Sequence, residues 1–165
     1  MSTRGQKASK LPPLSLGSLN HVSFLCASIK NSVKFYQEVL GFDLVQRPSS
    51  LDFEGAWLSK YGIGIHLLQR GPNSDAPAKP SAINPKDNHI SFQYQDMGTI
   101  RKKLEDMGIE FVNGVVKDGN IEVHQVFFHD PDGNMIEICD CQKLPVLPLS
   151  SSCLSKQWHS SFEGK

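Results

Sequence analysis

The sequence predicts an α+β fold of two βαβββ modules, and three observations carry that prediction. HVSF at residues 21–24 returns as HISF at residues 89–92. Each copy is followed by a segment of helical periodicity that stops at a glycine, Gly41 in the first half and Gly108 in the second. Three short apolar segments of strand character follow each glycine.

The elements follow in order. In Asn20–Leu25, strand alternation sets His21 and Ser23 on one face and Val22 and Phe24 on the other. The helical period over Ser32–Leu40 aligns Val33, Tyr36 and Leu40, and Phe42–Val45 then reads as a strand. Strands Ala56–Ser59 and Ile63–Leu68 enclose the turn Lys60-Tyr61-Gly62. In the second module, His89–Gln93 opposes His89, Ser91 and Gln93 to Ile90 and Phe92, and the helix Thr99–Met107 aligns Ile100, Leu104 and Met107. Ile109–Val112 is its next strand, and Val123–Phe128 and Met135–Cys139 flank Asp130-Pro131-Asp132-Gly133. The predicted organisation is a flexible tail over residues 1–17, a domain over 18–142 and a flexible tail over 143–165. Within the domain, module one covers 18–70 and module two 89–142; the linker 71–88 is broken by Pro72, Pro77, Pro80 and Pro85. A four-stranded sheet with its helix on one face leaves the other face open, so two facing sheets would form a cupped half-barrel around a cavity.

Composition narrows the function. A chain of 165 residues, 39% hydrophobic and 21% charged, has the core-forming capacity of one domain. Its 17 basic and 17 acidic residues cancel, which argues against nucleic acid or an anionic membrane as partner. The one basic cluster is Arg4, Lys7 and Lys10. No run reaches the roughly twenty apolar residues of a membrane span, and the polar start lacks the core of a secretory signal, so the expected location is cytoplasmic. Cys26, Cys139, Cys141 and Cys153 are irregularly spaced and are read as reduced thiols, with a reservation about Cys141. Trp158 and Phe162 are read as part of a mobile tail.

Four polar residues fall in step with the repeat. His21 corresponds to His89, and His66, which opposes Ile65 and Leu67, corresponds to Glu137, which opposes Ile136 and Ile138. A histidine near a strand end is ordinarily a surface or hydrogen-bonded residue; recurrence at matched positions sets these four apart as metal ligands. Three imidazoles and a carboxylate suit nickel, zinc, cobalt or ferrous iron, whereas magnesium would want more oxygen. A carboxylate at the centre of an otherwise apolar strand also needs a compensating charge, which a divalent cation supplies. His124, His129 and His159 have no repeat partner and are read as structural or solvent-facing.

The stretches LNHVSF, SVKFYQEVLGF, LDFEGAW, GIGIHLL, NPKDNHISF and FFHDPDGNMIEIC together resemble the vicinal-oxygen-chelate superfamily, and within it the plant glyoxalase I-like proteins, over about Ser18 to Cys141. The resemblance implies the glyoxalase/bleomycin-resistance/dihydroxybiphenyl-dioxygenase fold and a lyase that isomerises the hemithioacetal of methylglyoxal and glutathione to S-lactoylglutathione. Against the bacterial ligand order His, Glu, His, Glu, the residues His21, His89 and Glu137 match, and His66 departs by standing where that pattern has glutamate. A first-position histidine, where animal and plant enzymes carry glutamine, resembles the nickel- or cobalt-preferring type, with iron or manganese as further options.

By the same resemblance, Glu137 is the catalytic proton carrier, moving a proton between adjacent carbons through an enediolate that a Lewis-acidic metal stabilises. The His66 departure makes the site more positive but removes the other base. Glutathione is the implied co-substrate, and Arg47, Lys86 and Lys117, expected in loops near the cavity mouth, are the candidates for binding its carboxylates. Trp57 and Phe127 are read as core packing. The superfamily resemblance also implies detoxification and stress-response roles and a homodimer, since modules of small members often pair across chains. It keeps open an extradiol dioxygenase, a thiol transferase and a stress-associated binding protein without isomerase activity.

Overall fold

A computed structural model describes residues 13–72, 80 and 82–148. The readings made for residues 1–12 and 149–165, for 73–79 and 81 of the linker, and for Cys153, Trp158, His159 and Phe162 lie outside the described residues. The chain divides into two compact units after Pro72. The first contains β1 (His21–Cys26), α1 (Ile29–Glu38), β2 (Asp43–Val45), β3 (Gly55–Lys60) and β4 (Ile63–Gln69). The second contains β5 (His89–Gln93), α2 (Met97–Asp106), β6 (Phe111–Asp118), β7 (Ile121–His129), β8 (Met135–Cys139) and a 3-10 turn at Cys141–Lys143. The βαβββ order holds in both, and the strand orders are equivalent: β1-β4-β3-β2 and β5-β8-β7-β6.

In the first unit, β1 runs parallel to β4, with β3 and β2 added antiparallel. One face of this sheet packs on α1, and its core is Tyr36, Phe42, Leu58, Ile65 and Leu67, each almost wholly buried. Burying side chains of this size stabilises by about 1.5–3 kcal/mol apiece. The helix begins three residues earlier than its apolar period suggests, because the Ser28 side chain accepts a hydrogen bond from the Asn31 N–H as N-cap. Asp96 does the same for α2 through the Thr99 N–H, so that helix begins at Met97 rather than Thr99. α2 closes in a Schellman motif: Gly108, at φ +66°, donates to Glu105 O, and Ile109 donates to Leu104 O, both at 2.9 Å.

In the second unit, β8 lies between β5 and β7, and every one of its residues is buried. Asp130 sets its entry. Oδ1 accepts the N–H groups of Asp132 and Asn134 at 2.9 and 2.8 Å, and Oδ2 accepts the Asn134 amide at 2.8 Å, which explains a carboxylate only 1% exposed. The second strand of the second module is longer than Ile109–Val112: β6 and β7 form a hairpin around Gly119-Asn120, with Gly119 at φ +56°. That dipeptide is a two-residue hairpin signal.

The cysteine expectation requires correction, because Cys139 and Cys141 form a disulfide. β8 ends at Cys139, and the chain corners at Asp140 into the 3-10 turn, bringing the two Cα atoms to 5.3 Å, within the usual span of a disulfide. Cys26 is a buried thiol outside the disulfide and donates to Leu68 O. Among the described residues no helix is long and apolar enough to cross a membrane.

Candidate metal site

The registers of the two sheets place the four ligand candidates at equivalent positions. His21 pairs with Gly64 and Ser23 with His66; His89 pairs with Met135 and Ser91 with Glu137. The third strands match as well, with Trp57 opposite His66 and Phe127 opposite Glu137. Each unit therefore carries two candidates, on the sheet face opposite Ile65 and Leu67 in the first and Ile136 and Ile138 in the second.

In the second unit the pair converges. His89 Nε2 lies 3.2 Å from Glu137 Oε2, and Glu137 Oε1 accepts from Gln125 Nε2 at 2.5 Å. His89 Nδ1 is 2.7 Å from the backbone oxygen of Asp87. A carbonyl only accepts, so Nδ1 donates to Asp87 O and Nε2 is the nitrogen turned towards a carboxylate oxygen. Two acceptors held 3.2 Å apart call for a positive charge between them, either a second ring proton or a metal cation. Glu137 is only 4% exposed, which raises the cost of leaving that charge out. This donor set fits a divalent cation, with Asp87 O and Gln125 orienting the two ligands.

The first unit differs. His21 Nδ1 is likewise engaged, by Asn20 Oδ1 at 2.7 Å. But His66 is stacked on both faces, against His21 at 3.9 Å between centroids and 16° between planes, and against Trp57 at 4.1 Å and 2°. Nitrogen lone pairs lie in the ring planes, so those of His21 and His66 lie in nearly parallel planes. They do not meet at the roughly 2 Å that a metal–imidazole bond requires, and one ring must turn for both to hold one ion. Burial, and then the charge of His21, lowers the His66 pKa below 6.5, which favours the neutral imidazole. Gly64 keeps this space open: a Cβ there would lie 3.1 Å from the His21 Cβ and 3.5 Å from His66 Nε2.

The three candidate cations are differently placed. Arg47 is committed to its own loop, with Nη2 donating to Phe53 O at 2.5 Å and the guanidinium 4.6 Å over the Phe53 ring. Lys117 lies in β6 rather than in a loop, because the hairpin extends past it, and it pairs with Glu122 at 2.9 Å. Lys86 is exposed in the turn before β5. Structural roles fit His124, which sits between Glu122 at 3.1 Å and Asp140 at 3.6 Å.

Sequence reading passed over Gln125, the amide that holds Glu137. Its signal was a polar residue in step with Phe127 on an apolar strand. Trp57 and Phe127, read chiefly as core packing, also touch the candidate ligands: Trp57 stacks on His66 and Phe127 meets the His89 ring edge-on at 5.6 Å. An open cleft of about 520 Å³ lies at the far end of β5, lined by Gln93, Tyr94, Gln95, Asp96 and Gln142.

Comparison with known proteins shows the family of the chain. The family model described as the glyoxalase/bleomycin resistance protein/dioxygenase superfamily matches residues 18–138. Glyoxylase I 4 of Arabidopsis thaliana is 61% identical over 155 residues, covering 92% of this chain and 88% of that protein. Metallothiol transferase FosB of Bacillus licheniformis is 27% identical over 128 residues, 73% of each chain. The crystal structure of a glyoxalase/dioxygenase from Nostoc punctiforme aligns with a TM-score of 0.63 at 23% identity, covering 81% of this chain and 97% of that one.

Proposed function

Because the chain belongs to the glyoxalase/bleomycin resistance protein/dioxygenase superfamily, we propose that it is a glyoxalase I-like enzyme, a lactoylglutathione lyase acting on the hemithioacetal of methylglyoxal and glutathione. The observation that carries the reading is the pairing of His89 Nε2 with the buried Glu137 Oε2 at 3.2 Å, in a chain 61% identical to a protein named Glyoxylase I 4. The proposed metal donors are His21, His66, His89 and Glu137, of which His89 and Glu137 face each other within the second unit. Nickel, cobalt or zinc suits this nitrogen-rich set. The bound ion would supply Lewis acidity towards the substrate oxygens.

The chain's own residues supply the rest. Glu137 takes the proton from one carbon of the hemithioacetal and returns it to the neighbouring carbon, a shuttle that leaves the carboxylate unchanged at the end of each turnover. Gln125 holds Oε1 so that Oε2 is the oxygen directed at His89. Lys86 and Lys117 are proposed partners of the glutathione carboxylates; Arg47 reaches them only by leaving Phe53. A cytoplasmic homodimer remains part of the proposal.

A second reading, a ligand-binding protein without isomerase activity, is favoured by one observation, the His21–His66–Trp57 stack that keeps His66 from acting as the second base. Steady-state assay of S-lactoylglutathione formation by the nickel-, cobalt- and zinc-reconstituted protein separates the two. Metal-dependent turnover lost in Glu137→Gln supports the enzyme; bound metal with no turnover supports the second reading.

A further inference from the structure

The corner after β8 carries chemistry that the isomerase reading does not use. One carboxylate oxygen of Glu137 and the sulfurs of Cys139 and Cys141 all lie within 4.8 Å of one another. Strand alternation puts Cys139 on the Glu137 face, and the corner at Asp140 brings Cys141 back beside it. That corner is fixed independently of the sulfurs, since Asp140 accepts the His124 N–H at 2.7 Å and the Lys143 ammonium at 2.5 Å. Ser91 Oγ lies 3.6 Å from the Cys139 sulfur.

We propose that the dithiol form of this corner binds a thiophilic divalent cation, zinc or cadmium, through Glu137, Cys139 and Cys141, and that the Cys139–Cys141 disulfide closes the site. Two thiolates and a carboxylate form a soft, anionic set suited to such ions. With metal–sulfur bonds of about 2.3 Å and a metal–oxygen bond of about 2.1 Å, a tetrahedral ion spaces its ligands roughly 3.6–3.8 Å apart, a spacing that side-chain rotation reaches once the sulfurs part.

Opening requires a two-electron reductant, of which a small-molecule thiol is one. Cys141 is half-buried, whereas Cys139 is 1% exposed, so the attacking thiolate forms a mixed disulfide at Cys141 and Cys139 leaves as a thiol. A second thiol then releases Cys141 and departs with the first as an oxidised disulfide, so two electrons pass to the protein. The cation replaces the two thiol protons, which go to solvent. The open cleft at Gln93 and Gln142, next in sequence to Cys141, gives the reductant room.

The site shares Glu137 with the isomerase reading but needs neither His21 nor His66. The test titrates cobalt and cadmium into the full chain, once oxidised and once reduced with a non-chelating phosphine, and reads thiolate-to-metal charge-transfer absorption. The proposal expects one equivalent of thiolate-bound metal in the reduced protein and none in the oxidised protein. Cys139→Ser and Cys141→Ser should each weaken binding at least tenfold, Glu137→Gln should weaken it less, and Cys153→Ser and the double variant His21→Ala, His66→Ala should leave it unchanged. Absent absorption in the reduced wild type, equal absorption in the oxidised form, or loss on Cys153→Ser alone would overturn it. An inactive isomerase with intact thiolate absorption would leave it standing.

Discussion

Glu137→Gln separates a metal ligand from a merely structural carboxylate, because the two roles predict different signs with and without metal. Glutamine keeps the shape of a side chain that is 4% exposed. Its amide oxygen still accepts from Gln125, and its amide nitrogen can donate to His89 Nε2, whose Nδ1 is committed to Asp87 O. What is lost is the charge assistance of the Gln125 hydrogen bond and, where a ring proton lies between His89 and Glu137, of that pairing as well, about 1 kcal/mol each. What is gained is relief from a buried charge, which offsets a loss of that order. In chelator, the variant should therefore lie within about 1 kcal/mol of wild type. With nickel at about one hundred times its dissociation constant, wild type gains about 2.7 kcal/mol, or roughly 5–10 °C in Tm for a chain of this size. A hundredfold weaker variant gains only about 0.4 kcal/mol under the same conditions. Calorimetric melts of both proteins, in chelator and in nickel, check this. Equal stabilisation of both by nickel, or a loss of several kcal/mol in chelator, would refute the reasoning.

Other consequences follow from the same contacts. His66 should titrate below 6.5 by NMR, and His21→Ala should raise its pKa part of the way back, since burial is the larger cause and the His21 charge the smaller. The sign is that of a base whose folded pKa is depressed: its contribution to stability is complete above the unfolded value of 6.5 and is lost as pH falls from there through the folded pKa. Asp130→Ala strips two backbone N–H groups and an amide of their acceptor, and chemical denaturation should show a loss of about 3 kcal/mol at 1–3 kcal/mol per stranded buried group. Gly64→Ala sets a methyl 3.1 Å from the His21 Cβ, so isothermal titration should show metal binding weakened by about tenfold while the melt changes little.

Much of this was legible in the residues because it depends on strand parity and repetition. HVSF and HISF gave the two modules, and parity alone put His66 and Glu137 on the faces where the registers place them, each opposite the serine of its repeat. Helix starts were misplaced because a cap is set by one side chain, Ser28 or Asp96, outside the apolar period. The hairpin of β6 and β7 was underestimated because Gly114 and Lys117 interrupt its apolar pattern, although Gly119-Asn120 marked its turn. The His21–His66–Trp57 stack and the Cys139–Cys141 bond were not legible: both depend on rotamers and a chain corner, which spacing does not specify. Lys117 was mistaken for a loop residue for the same reason as the hairpin.

The central claim is that Glu137 carries a proton for a metal-dependent isomerisation. The most direct measurement is deuterium incorporation at the migrating position, followed by NMR in D2O during turnover of the methylglyoxal–glutathione hemithioacetal by the nickel-loaded protein. The account predicts S-lactoylglutathione that forms only with metal, carries partial solvent deuterium at that carbon, and falls at least a hundredfold in Glu137→Gln. Product formed at an undiminished rate by that variant, or no product with any of nickel, cobalt and zinc, would contradict it.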